Sequence, residues 1–310
     1  MPLLSPPRRA HLLVAVALAC TVVSCGGSEI GSVNPVAPSP LTALVLSTAN
    51  PAAVLVGAGD IARCEVDGAA KTAKLLDGIP GTVFVAGDNA YMNGSASDYR
   101  NCYHPGWGRH RNRTRPVPGN HEYQTPNAAG YFEYFGASAG PAGLGYYSYT
   151  LGSWKVLALN SEVPAGAGSA QLRWVRDQLG VDPYKCTVVY WHRPLFSSGR
   201  NGPNPDMLEL WRVLYSMDVE LVLNGHDHVY ERFAPQTPEG RPDPAKGIRQ
   251  FTVGTGGAPL YDVPARAANS EVVASVWGVA SFTLENDRYA WAFIPVEGEA
   301  FRDSGSGACH

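Results

Sequence analysis

Thr82-Val83-Phe84-Val85-Ala86-Gly87-Asp88-Asn89-Ala90-Tyr91 is an apolar, β-branched run that stops at a glycine, a carboxylate and, three residues on, a phenol. A short apolar run closed by glycine reads as a buried strand. In open α/β sheets, ligand sites gather at the carboxyl ends of such strands. The same pattern recurs along the chain. Val54-Leu55-Val56 leads into Gly57-Ala58-Gly59-Asp60, and Pro116-Val117-Pro118 into Gly119-Asn120-His121-Glu122. Val188-Val189-Tyr190-Trp191 leads into His192, and Leu221-Val222-Leu223 into Asn224-Gly225-His226-Asp227-His228. A lone Gly-Asp is an ordinary turn and a lone His an ordinary structural residue. Five such deliveries in one chain are a site.

Glycine before a polar residue lets the backbone turn sharply and lets an ion or phosphate approach closely. Carboxylate, carboxamide and imidazole together suit iron, zinc or manganese. The candidates Asp60, Asp88, Tyr91, Asn120, His192, His226 and His228 are too many for one ion, and suit two that share a carboxylate. Two cations roughly 3.5–4 Å apart clamp a phosphoryl group during in-line attack.

The ordered set Gly-Asp, Gly-Asp-x-x-Tyr, Gly-Asn-His-Glu, a His after a strand, and Gly-His-x-His resembles the calcineurin-like metallophosphoesterases. Within them it is most similar to the purple acid phosphatases, in a single-domain bacterial form. His228-Val229-Tyr230-Glu231-Arg232 and Val253-Gly254-Thr255-Gly256-Gly257 carry the likeness further, and it runs from about Ala52 to Glu297. The short segment ahead of it leaves no room for the extra β-sandwich of the large plant enzymes. The resemblance implies an α/β fold, a four-layer α/β/β/α sandwich with the metal site at strand carboxyl ends. It implies Asp60, Asp88, Tyr91 and His228 on a first ion, and Asp88, Asn120, His192 and His226 on a second. Most of the superfamily has Asp-x-His in the first motif; here Asp60-Ile61-Ala62 lacks that His, and Tyr91 supplies a phenolate instead. A phenolate beside a cation must lose its proton far below its usual pKa of about 10, which Fe(III) favours. The implied cofactors are therefore Fe(III) with a divalent Fe, Zn or Mn ion.

The implied activity is hydrolysis of phosphate monoesters of small substrates, the nucleophile being a hydroxide held by the ions. His121 would bond the phosphoryl oxygens or protonate the leaving alkoxide. Arg193 stands as a phosphate contact or as a salt-bridge partner. Asp227 points away or braces a neighbouring ligand. The alternatives are a phosphodiesterase or nucleotidase on the same site, and a surface lipoprotein that keeps the fold without catalysis.

Further from the motifs, the chain carries 45% hydrophobic but only 16% charged residues, with a formal charge of -3. This excludes a disordered chain and gives no bulk attraction to nucleic acid. Helical patterns fall at Gly68–Leu76, Gln171–Leu179 and Met207–Tyr215, and the aromatic run 131–135 buries one helical face. Arg109–Arg115 reads as a solvated face or an electropositive rim. Arg8-Arg9 followed by the apolar run Leu12–Val23 has signal-peptide proportions, shorter than a membrane span. Val22-Val23-Ser24-Cys25-Gly26 resembles a bacterial lipobox, which implies cleavage before Cys25 and its acylation; ordinary secretion is the alternative. The expected product is exported from a bacterial cytoplasm and held by its lipid at the cell surface or periplasmic face, or else secreted. The expected organisation is a signal over 1–24, a Pro/Gly/Ser-rich tether over 25–47, the phosphoesterase domain over 48–300 and a tail over 301–310. Among the cysteines of the body, Cys64 with Cys102 is the favoured pair because both follow converging motifs; free buried thiols are the alternative.

Overall fold

A computed structural model describes residues 52–181, 184–263 and 265–310. The signal, the tether and the anchor candidate Cys25 lie outside the described residues. The strands are β1 (Ala53–Ala58), β2 (Thr82–Ala86), β3 (Thr114–Val117), β4 (Tyr147–Leu151), β5 (Trp154–Ala158), β6 (Cys186–Tyr190) and β7 (Leu221–Asn224). They continue as β8 (Tyr230–Phe233), β9 (Arg249–Val253), β10 (Ser270–Ala274), β11 (Gly278–Leu284), β12 (Arg288–Pro295) and β13 (Asp303–Ala308). One sheet has the order β13-β12-β11-β1-β2-β3 and the other β10-β8-β9-β7-β6-β5-β4. In each, the strands that lead into the polar motifs run parallel: β1, β2 and β3 in one, β6 and β7 in the other. Their carboxyl ends therefore emerge on one edge.

Alternation along the strands decides which layer each residue joins. Val188, Tyr190, Leu221 and Leu223 belong to the large core that also holds Leu55, Phe84, Val85 and Phe282 of the first sheet. Their neighbours Val189, Trp191 and Val222 face the other way, into a core shared with Leu172, Val175, Leu210, Trp211 and Leu214. Those last five come from the helices Ala170–Gly180 and Leu208–Ser216. The helix Gly68–Asp77 connects β1 to β2 and buries Ala73 and Leu76 in the large core. Two sheets flanked by helices, with inner strands such as β6 and β7 buried along their whole length, is the expected sandwich.

Two expected helices are present. Ser169 caps the helix Ala170–Gly180 by accepting the Leu172 N–H at 3.1 Å. Helix Ala129–Phe135 buries Tyr131 and Phe135 of the aromatic run.

The segment 301–310, expected to be a tail, is instead the edge strand β13, paired antiparallel to β12 from Asp303 to Ala308. Its Ser/Gly sequence carries no strand signal because its packing is borrowed from β12. A Cβ on Gly305 would stand 2.4 Å from the Trp291 ring, so the glycines make room for aromatic side chains. Asp303 anchors its start, accepting from Tyr230 Oη (2.6 Å), Arg232 Nε (2.8 Å) and Trp291 Nε1 (3.0 Å). Cys309 bonds to Cys186 of β6 and so joins the first sheet to the second; Cys64 is bonded to Cys102.

Candidate metal centre

The seven candidate ligands converge on a single carboxylate oxygen. Asp88 Oδ2 lies 3.2 Å from Tyr91 Oη and 3.2 Å from His192 Nε2. On one side, Tyr91 Oη is 2.9 Å from Asp60 Oδ1 and 3.0 Å from His228 Nε2, while His228 Nε2 is 3.3 Å from Asp60 Oδ1. On the other, His192 Nε2 is 3.2 Å from Asn120 Oδ1 and 3.2 Å from His226 Nδ1. Donor atoms this close fall into two groups that meet at Asp88.

The backbone is bent to bring them there. Asp60, Asp88 and His226 have φ of 58°, 47° and 72°, a left-handed conformation that costs non-glycine residues about 1 kcal/mol or more each. Such strain persists where the surrounding bonds over-determine it. Asp60 Oδ2 accepts the His226 N–H at 2.8 Å and Asp88 Oδ1 accepts the His121 N–H at 2.9 Å, so each ligand also holds the loop that carries another. A Cβ on Gly119 would stand 2.3 Å from Asp88 Oδ1, which explains the glycine before Asn120.

The ring tautomers are fixed from outside the cluster. His192 donates Nδ1–H to Ala86 O at 2.9 Å and His228 donates Nδ1–H to Pro259 O at 2.6 Å. Both Nε2 lone pairs are thereby left facing the junction, as a metal ligand requires. The donor set, with two carboxylates, a phenol, a carboxamide and three imidazoles, fits two cations of the iron, zinc or manganese kind.

Electrostatics agree with a site built for positive charge. Burial, then the carboxylates of Asp60 and Asp88, hold the Tyr91 phenol well above its ordinary range. Burial disfavours the His192 imidazolium, yet Asp88 overcomes this and raises the ring to about 10. His226 moves the opposite way, pushed down to about 3 by burial and by the charges of His192 and Arg193.

Around the donors, His121 donates Nδ1–H to Met92 O at 2.5 Å and its Nε2 stands 3.9 Å from Asp88 Oδ2, at the open side of the junction. Arg193 takes the salt-bridge role of its two alternatives. Its Nε binds Glu162 Oε1 at 2.9 Å while Nη1 stands 3.1 Å from His226 Nε2. Asp227 points away from the donors, and its oxygens take Ser197 Oγ and the Asn201 N–H. Trp107, Trp191 and Tyr230 are fully buried packing residues. Glu122 went unassigned in the sequence, yet it braces two ligand loops at once. Its Oε1 accepts the Asn89 N–H at 2.9 Å and the Ala90 N–H at 3.2 Å, and its Oε2 the Gly119 N–H at 2.8 Å. The available signal was a carboxylate in the fixed company of Gly119, Asn120 and His121.

Comparison with known proteins decides the family. Residues 54–230 match the calcineurin-like phosphoesterase model. The chain belongs to the calcineurin-like phosphoesterases. It is 27% identical over 195 residues to purple acid phosphatase 15 of Arabidopsis thaliana, a match covering 51% of this chain. That match spans 37% of the plant protein, so this chain accounts for little more than a third of its length. Among solved structures, the fold resembles purple acid phosphatase PPD1 from yellow lupin, with TM-score 0.73 and 17% identity over 83% of this chain and 54% of that one. It also resembles GAP50, described as the anchor in the inner membrane complex of Plasmodium, with TM-score 0.67 and 14% identity over 84% and 90% of the two chains.

Proposed function

We propose that the chain hydrolyses phosphate monoesters at a dinuclear centre pairing Fe(III) with divalent Fe, Zn or Mn. The observation that carries this reading is Asp88 Oδ2, placed equally between the Tyr91 and His192 donors. When bound, the two cations supply an acidified water as nucleophile and neutralise charge on the phosphoryl oxygens. Asp60, Asp88, Tyr91 and His228 hold the first; Asp88, Asn120, His192 and His226 hold the second. Left to its neighbours Tyr91 keeps its proton, so the phenolate needs a strongly charged cation, which supports the ferric assignment.

The chain's own groups orient the substrate and move the proton. His121, fixed at Nδ1, turns Nε2 toward the junction and protonates the leaving alkoxide there. For Nδ1 of His226 to serve as ligand its Nε2 must carry the hydrogen, which cannot face the Arg193 donor 3.1 Å away. Arg193, still held by Glu162, then turns Nη1 to a phosphoryl oxygen.

The test is turnover by the iron- and zinc-loaded full chain of an aryl phosphomonoester against the matching diester. Fast monoester cleavage that Asp88→Ala abolishes supports the proposal. Preference for the diester moves the site to phosphodiesterase or nucleotidase chemistry, and a metal-loaded protein inert to both overturns the enzymatic reading. We also propose export and anchoring through an acylated Cys25; Cys25→Ala should release the protein from membranes, and unchanged partitioning refutes it.

A further inference from the structure

We propose that Arg200 is a receptor for a second anionic group, so that the site favours phosphate esters whose leaving group carries another phosphate or a carboxylate. This rests on the phosphoesterase reading above and names its substrate class. The first support is the loop that carries Arg200. Ser197 Oγ donates to Asp227 Oδ2, the Asn201 N–H donates to Asp227 Oδ1 at 2.7 Å, and Asn201 Nδ2 donates to His226 O at 2.6 Å. A Cβ on Gly199 would stand 2.2 Å from Asp227 Cγ, so the loop packs directly on the ligand segment. Asp227, between two ligand histidines, spends both oxygens on this loop. That is a costly arrangement for a loop with nothing to present.

The second support is what the loop presents. Arg200 is exposed, and its guanidinium carbon lies 5.4 Å from the centroid of the Tyr261 ring. Tyr261 stacks on His228 with centroids 4.0 Å apart and planes 11° apart, and its N–H binds His228 O at 3.1 Å. The guanidinium is thus one aromatic ring away from a ligand of the first ion. Among the described residues it makes no ion pair, so its charge is available.

A groove of about 350 Å³ opens at His226, lined by Glu162, Arg193 and Asp206 and by Asn201 and Gly202, which follow Arg200 in the same loop. Its one guanidinium is already paired with Glu162, and Asp206 adds a further negative charge. With Arg193 held by Glu162 and turned to the phosphoryl group, Arg200 is the guanidinium left for an anion on the leaving group. An exposed arginine-to-carboxylate bond changes affinity by up to about fivefold.

The experiment compares kcat/KM of the metal-loaded full chain for 3-phosphoglycerate and glycerol 3-phosphate, which differ by one carboxylate. The expected result is a preference of about three- to fivefold for 3-phosphoglycerate, weakened by salt. In Arg200→Gln the ratio should fall towards one, mainly through KM, and Arg200→Lys should restore part of it. Calorimetry with methylphosphonate and 3-phosphonopropionate gives the same ratio from binding and decides the matter where turnover is slow. Equal treatment of the paired ligands by the wild type, or a ratio that Arg200→Gln leaves in place, overturns the proposal while the phosphoesterase reading stands. Absence of turnover of both esters and of an aryl phosphate, with phosphonate binding retained, breaks the phosphoesterase reading instead.

Discussion

Around Asp88 Oδ2, one side of the centre presents Asp60, Tyr91 and His228, all buried, and the other presents His192, also buried, with Asn120 and His226 half-exposed. The first side offers a carboxylate and a phenol; the second, apart from the shared Asp88, offers only neutral groups. Hard anionic donors in a closed pocket suit a highly charged ion that does not exchange. Neutral donors at an opening suit a divalent ion, and they place it next to the groove where His226 and Arg193 meet solvent. On the proposed reading the ferric ion belongs to the first side and the divalent ion to the second.

Removing the shared oxygen should break both sides together. Asp88→Ala is expected to lower kcat by ~10³-fold or more, the scale of losing a preorganised charge stabiliser, and to leave fewer than two ions in elemental analysis. The single-sided variants should separate. Tyr91→Phe removes the visible charge-transfer absorption while the divalent ion stays; His192→Ala keeps the absorption and loses the divalent ion. If both variants lose the same ion, the division between the sides is wrong. Glu122 braces the loops of both sides, so Glu122→Gln should weaken metal retention by about 10–100-fold, a loss read by chelator competition and shared by both ions.

The smallest effect on activity is expected at Glu220, at the amino end of β7 and so remote from both sides. Burial raises its carboxyl from the ordinary 4.5 to about 8, with Oε2 on the Thr187 N–H at 2.6 Å and Oε1 unpartnered. A carboxyl raised in the folded state keeps its proton there while the unfolded chain loses it. Stability should therefore fall as pH rises from about 4.5 to 8, by roughly 2–4 kcal/mol. Chemical denaturation of Glu220→Gln should show a flatter profile over that window, with kcat/KM near the wild-type value.

The sequence reading went furthest where a residue's role follows from what precedes it in the chain. Asp60, Asp88, Asn120, His192 and His226 each come directly after an apolar run or its glycine, so strand and ligand are legible together. Roles that arise only when distant segments meet were not legible. Asp303 looks like the start of a loose tail until Tyr230, Arg232 and Trp291 are brought against it. Gly305 reads as flexible until the Trp291 ring is seen to occupy the space of its missing side chain. Tyr261 sits in a stretch without periodicity, and its stacking on His228 belongs to the fold alone.

The most direct test of the dinuclear account is to count the ions. Full-length protein loaded with iron and zinc would be assayed by elemental analysis and by visible absorption, beside Tyr91→Phe. The account predicts one iron and one zinc per chain, and an absorption band that the substitution removes. A single ion per chain, or a band unchanged in Tyr91→Phe, would contradict it.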